Sequence, residues 1–127
     1  ALTRLTELGY VDDRAFARYW IESRERSSPR GRQALRYELR QKGIADEVIE
    51  AALAETNPLD SAVRAAQSAV RRWRGLSRAA FRQKLGAFLN RRGFDYETVR
   101  EAVSVILEQL AHEQPEFFAA DDNPDNE

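Results

Sequence analysis

The chain has 127 residues, 43% of them hydrophobic, with 20 Lys and Arg against 21 Asp and Glu, one His, and neither Cys nor Met. That apolar content can bury a core in one domain or a short array of helical units, and no apolar run is long enough to span a bilayer. Without Cys there is no disulfide framework, thiol nucleophile or Cys-ligated zinc, and the lone His112 excludes His-rich metal sites and His-based triads.

Apolar residues recur at spacings of three and four, with Ala, Leu, Arg and Glu dominant, so the chain reads as all-α with about seven helices and no sheet. A first helix over 1–8 carries Leu2, Leu5 and Leu8 and is expected to stop at Gly9. A second begins near Asp12, where acidic residues suit an N-terminal dipole, and sets Phe16, Tyr19, Trp20 and Ser23 on one face. Ser27-Ser28-Pro29-Arg30-Gly31 is a breaker cluster. The third helix, 31–42, presents Leu35 and Leu39 and ends at Gly43. The fourth, 46–55, presents Val48, Ile49, Ala52 and Leu53.

Asn57-Pro58-Leu59-Asp60 spells a helix start, with an N-cap, Pro at the first helical position and an acid in the first turn. The helix it opens, 58–74, shows Val63, Ala66, Val70 and Trp73. After Gly75, Ser77 can cap a helix over 78–92 whose inner face is Phe81, Leu85, Phe88 and Leu89. Gly93 ends it. The last helix, 96–112, uses Val99, Val103, Ile106 and Leu110. From Glu113 onward the sequence is acidic and reads as a flexible tail, in which Phe117 and Phe118 can still dock locally.

Aligning the glycines exposes a repeat. Leu35, Leu39, Gly43, Ile44, Glu47, Ile49 and Leu53 match Leu85, Leu89, Gly93, Phe94, Glu97, Val99 and Val103, each fifty positions on. In each copy two leucines face a core and Gly supplies the left-handed residue after the helix. The next apolar residue packs back, and an acid opens the following helix. This divides the chain into an incomplete first repeat (1–11), two three-helix repeats (12–56 and 57–112) and the acidic tail (113–127), an elongated tandem array.

Charge is unevenly placed. Residues 61–94 hold nine Arg or Lys and no Asp or Glu, while 111–127 hold six acids and no base. Arg outnumbers Lys 18 to 2, which favours forked contacts to phosphate or carboxylate. Arg32, Arg36 and Arg40 form one stripe at i, i+4 and i+8, flanked by Arg30 and Lys42. Arg71, Arg72, Arg74, Arg78, Arg82, Lys84, Arg91 and Arg92 form a second group. The plain alternative is a solvated face ion-paired to neighbouring Glu, but a run of cations without anions repels itself and points to an anionic partner. Asp12 and Asp13, being adjacent, diverge on a helix and suit capping better than shared metal or acid/base work. No Gly-rich phosphate loop or nucleophile elbow is present, so no enzyme, cofactor, metal site or small-molecule substrate is expected.

Gly9-Tyr10-Val11-Asp12-Asp13-Arg14-Ala15-Phe16-Ala17 resembles the opening of the second repeat of RecX proteins, bacterial regulators of the RecA recombinase. Arg30-Gly31, Leu35-x2-Glu38-Leu39-x2-Lys42-Gly43-Ile44 and Arg91-Arg92-Gly93-Phe94-x-Tyr96 resemble its second and third repeats, over about residues 2–107. The resemblance implies an array of three three-helix repeats. It also implies a partner, the RecA filament on single-stranded DNA, with binding in the filament groove that inhibits filament extension, and weak non-specific DNA binding besides. The expected setting is the cytoplasm and homologous recombination, with the chain a monomer and no membrane partner. The alternative is a non-specific DNA-binding helical module acting without RecA. The tail is expected to screen the basic face.

Overall fold

The computed structural model describes residues 2–119, with side chains placed from Asp12 onward. Six α-helices follow one another: α1 (Leu2–Ser27), α2 (Arg32–Gln41), α3 (Asp46–Leu53), α4 (Pro58–Gln67), α5 (Arg78–Arg91) and α6 (Tyr96–Glu113). Short 3-10 turns at Val70–Trp73 and Pro115–Phe117 complete them, and no strand occurs among the described residues. The side chains gather into two separate cores. One lies among α1, α2 and α3, the other among α4, α5, α6 and the two 3-10 turns.

The repeated glycine turns are built alike. Gly43 (φ 83°) and Gly93 (φ 94°) adopt the left-handed conformation that costs a residue without Cβ little. Gly43 N–H donates to Arg40 O at 2.9 Å and Ile44 N–H reaches back to Leu39 O at 3.1 Å. Gly93 and Phe94 repeat the pattern on Asn90 and Leu89 at 3.0 and 3.3 Å. This double closure satisfies carbonyls that the helix end leaves open. It also turns Ile44 and Phe94 inward, where both are buried. Helix starts follow the sequence as well: Asn57 accepts from Asp60 N–H at 3.1 Å behind Pro58, and Ser77 accepts from Ala80 N–H at 3.1 Å. Asp95, unremarked in the sequence, caps α6 by accepting from Thr98 N–H at 2.9 Å, a bond that holds its carboxyl below the ordinary range.

Four expectations need correction. Gly9 does not end a helix: α1 runs through it from Leu2 to Ser27, because a single glycine weakens a helix by only about 1 kcal/mol and no proline accompanies it. Asp12 and Asp13 therefore sit in mid-helix and cap nothing, and the backbone of α1 passes without a break from the piece expected at 1–11 into the second repeat. The inner face of α1 is Ala17 and Ile21, with Phe16 and Trp20 packed at its edge and Tyr19 60% exposed. The helix expected over 58–74 ends at Gln67 and is followed by the 3-10 turn at Val70–Trp73. Its buried face is Ser61, Ala62, Ala65 and Ala66, continued past its end by Ala69, with Val63, Val70 and Trp73 only partly covered. Alanines at i, i+3, i+4 and i+7 give α4 a smooth strip that lies close on α6. Finally, Glu113 still belongs to α6, and Phe117 and Phe118 are buried edge-on against Phe81 at 5.5 and 5.2 Å, so 113–119 is packed structure. The rest of the expected tail, 120–127, lies outside the described residues.

The two cores meet at a tight seam. Gly31, the residue before α2, donates its N–H to Arg92 O at 2.8 Å, and Gln33 N–H reaches Gly93 O at 3.2 Å. A Cβ built on Gly31 would stand 2.2 Å from Gly93 O, so only glycine admits this approach. Lower along α1, Glu25 accepts from Ser61 Oγ at 2.7 Å and pairs with Arg64, whose Nη1 also donates to Glu25 O at 2.8 Å.

Candidate functional site

The two arginine groups meet different fates. In the α2–α3 hairpin, positions equally far before and after Gly43 face each other. Arg40 and Asp46, three residues either side of that glycine, bond at 2.8 Å through Nε; Arg36 and Glu50, seven either side, form a fork at 2.5 and 3.0 Å. The fork raises the Arg36 pKa and lowers that of Glu50, and the Arg40 bond lowers that of Asp46. Arg32 donates instead to Thr56 Oγ1 at 3.1 Å and Thr56 O at 3.3 Å. The stripe on α2 is thus real, but the charges of Arg36 and Arg40 are matched in place by carboxylates of α3 while Arg32 is held by neutral oxygens.

The repeat explains why α5 differs. Fifty residues on, Arg36 and Arg40 become Gly86 and Asn90 while Asp46 and Glu50 become Tyr96 and Arg100, so neither ion pair recurs in the α5–α6 hairpin. Arg71, Arg82, Lys84 and Arg91 are exposed with no partner, and Arg72 and Arg92 have no carboxylate within 4 Å, among the described residues. Arg72 and Arg92 both lie over the Phe88 ring, at 5.4 and 4.6 Å, and Arg92 Nη1 donates to Ser28 Oγ at 2.5 Å. Arg78 covers Phe118 at 4.7 Å. Arg74 bonds Gln114 at 2.9 Å, with Glu116 at 3.9 Å and the Phe117 ring at 5.5 Å. These two steady the C-terminal turn as well as carrying charge. Arg64, within the same acid-free run, is held above its usual pKa by Asp60 and Glu25 against the opposing effect of burial, so it belongs to the fold.

The remaining predicted positions, Arg30 and Lys42, cluster with residues the sequence did not single out. Glu38 accepts from Trp20 Nε1 at 2.7 Å and Arg24 Nε at 3.1 Å, with Arg30 Nε 3.5 Å from its other oxygen. Lys42 Nζ stands 4.8 Å over Trp20, and Arg24 5.0 Å over the same ring. Arg24 and Trp20, one helical turn apart, were the available signal. The edge of the seam near Glu25 is acidic by contrast, with Glu22, Glu25, Glu55 and Asp60 around a shallow groove. Tyr37 and Tyr96, off the apolar stripes, are 65% and 76% exposed. No three His, Cys, Asp or Glu are grouped to hold a metal among the described residues, and no described helix is long and apolar enough to cross a membrane.

An all-α chain of tandem three-helix bundles, joined through a glycine seam, is a helical-repeat protein. Residues 12–53 match the second three-helix domain of RecX, and residues 55–103 the third. The regulatory protein RecX of Chlorobium phaeobacteroides is 40% identical over 108 residues, spanning 84% of this chain and 70% of that protein. The one from Chlorobaculum tepidum is 42% identical over 109 residues, spanning 84% and 66%. The one from Mycolicibacterium smegmatis is 39% identical over 113, spanning 84% and 60%. The crystal structure of RecX from Lactobacillus salivarius shares the fold, with a TM-score of 0.70 over 81% of this chain and 69% of that one at 22% identity. The chain belongs to the RecX family, regulatory proteins rather than enzymes, and it spans some two thirds of the length of these relatives.

Proposed function

We propose that this chain regulates RecA by lodging in the groove of the RecA–DNA filament and hindering filament extension. It would act as a monomer in the cytoplasm, with 12–56 and 57–112 as its two complete repeats. One observation carries the reading: Arg71, Arg72, Arg82, Lys84, Arg91 and Arg92 have no carboxylate within 4 Å among the described residues, whereas Arg18, Arg24, Arg36, Arg40, Arg64 and Arg100 each have one. Unmatched charge on a fold costs stability through self-repulsion and gains from an anionic host. A filament supplies phosphate backbone and protein surface along one groove, and two linked bundles touching successive subunits gain avidity without any strong single contact.

The test is co-sedimentation with RecA–ssDNA–ATP filaments, against bare ssDNA and RecA alone. Retention on filaments well above both controls is expected, falling on reversal of Arg71, Arg82 and Lys84 to Glu. Equal retention on bare ssDNA, with a steep decline of log K against log salt, would replace this reading with a DNA-binding module that has no need of RecA.

A further inference from the structure

Where the bundles meet, four guanidinium groups gather and only two of them pair with a carboxylate. Arg24 and Arg30 come from the α1–α2 side, and Arg72 and Arg92 from the α4–α6 side. Glu38, already bonded to Trp20 and Arg24, is the only carboxylate among these contacts. The Nε of Arg30 is buried and makes no hydrogen bond, although Glu38 Oε2 is 3.5 Å away. Arg92 is drawn into the seam by Ser28 Oγ at 2.5 Å and by its own carbonyl, which accepts from Gly31 N–H at 2.8 Å. Burial first, then the charges of Arg30 and Arg72, push the Arg92 guanidinium below its ordinary pKa, yet an arginine there stays cationic. Three positive charges are left over, with Arg24, Arg30 and Arg92 half-buried and Arg72 exposed, at the place where the two bundles must hold together. A fold gains nothing from that arrangement by itself.

We propose that this seam is a phosphate-oxyanion site in which Arg30 of one bundle and Arg72 and Arg92 of the other engage successive phosphodiesters of a nucleic acid strand. Guanidinium forks match phosphate oxygens in pairs. A single protein carboxylate would leave most of the surplus charge unmatched, whereas a strand delivers one negative charge per nucleotide along its length. Because the ligands come from both bundles, an anion here also staples the bundles to each other. The oxyanion chemistry stands on the seam; that a nucleic acid supplies it rests on the functional reading above.

The full chain serves for the test, without RecA. Thermal unfolding is followed in inorganic phosphate and in chloride at equal ionic strength. Phosphate stabilises many folds by exclusion from their surface, so the quantity read is the difference between parent and variant. The parent is expected to gain more from phosphate than Arg30→Gln and Arg92→Gln, with Arg100→Gln, whose guanidinium is taken up by Glu97 on α6, gaining as the parent does. In a second arm, a short oligothymidylate is titrated across a salt series. Each lost phosphate contact should reduce the slope of log K against log salt by about 0.7. Should Arg92→Gln fail to fold, Arg72→Gln takes its place, since Arg72 only overlies Phe88. Equal phosphate gains in parent and seam variants overturn the site. An unchanged oligonucleotide slope overturns the strand as its ligand, as does polyglutamate protecting as well as the oligonucleotide. Loss of filament retention with both arms intact would instead remove the RecA reading and leave the site standing.

Discussion

Replacing Gly31 by Ala should break the seam, and the cost follows from the coordinates. Gly31 has φ −77° and ψ 168°, an extended conformation open to any residue, so no dihedral strain is involved. The added Cβ meets Gly93 O at 2.2 Å, Gly93 C at 2.3 Å and Phe94 N at 2.4 Å, all backbone atoms of a closed turn. Restoring ordinary contact needs the bundles to separate by more than an ångström at that point. Such a shift forfeits the bonds from Gly31 N–H and Gln33 N–H, worth about 1 kcal/mol each. Overpacking adds roughly 1–3 kcal/mol. A loss of about 3–5 kcal/mol should lower the melting midpoint by roughly 10–20 °C for a chain of this size. Gly43→Ala is the matched control: its φ of 83° penalises a side chain by about 1–2 kcal/mol, but nothing lies within 4 Å of the new atom. Urea and thermal unfolding read the effect, with Trp20 reporting on the first core and Trp73 on the second. If Gly31→Ala unfolds with the parent, or costs no more than Gly43→Ala, close backbone approach is not what holds the bundles.

Phe117→Ala should cost about 3–5 kcal/mol, because the ring is buried edge-on to Phe81; urea unfolding followed at Trp73 measures it. Glu38→Gln should destabilise by roughly 1–3 kcal/mol by leaving Arg24 and Arg30 without their shared anion, and should alter Trp20 emission because its indole N–H loses a charged acceptor. The carboxyls of Asp46, Glu50 and Asp95 all titrate below their unfolded values, so each stabilises the fold above the ordinary carboxylate range and loses that contribution as pH falls through its folded pKa. Stability measured by urea titration should therefore be level down to about pH 5 and decline below it. Asp95→Asn, which keeps a capping oxygen, should flatten part of that decline, and Asp95→Ala should cost about 1 kcal/mol at neutral pH.

The glycine turns were readable because each requires one backbone conformation that a residue without Cβ adopts, and the two copies vouch for one another. Asn57-Pro58 and Ser77 were readable because capping is local chemistry. Burial in α1 and α4 was not, since large side chains attract attention and the buried strips there are Ala17 with Ile21 and four alanines, chosen by how closely helices approach. Gly9 misled because its weak helix penalty is outweighed by twenty-five other residues of α1. For the candidate surface, the cations could be counted but not sorted. Pairing of Arg36 with Glu50 and Arg40 with Asp46 depends on hairpin symmetry about Gly43, and it does not recur where Gly86, Asn90, Tyr96 and Arg100 hold the same places. The seam needed the fold itself, because Arg30 and Arg92 are brought together only by stacking of the bundles.

The turn before α5 holds the place in its bundle that Ser28–Gly31 holds in the other. Between bundles, that place is taken by the Arg92–Gly93 backbone. At the far end it is taken by the chain's own C-terminal turn: Gly75 N–H donates to Phe117 O at 2.9 Å, and Ala119 N–H to Leu76 O at 3.0 Å. Phe117 and Phe118 thus anchor a cover on that turn, held by Phe81 below and by two backbone bonds. Exposing that turn requires both rings to be peeled from Phe81, so its cover and the second core are lost or kept together.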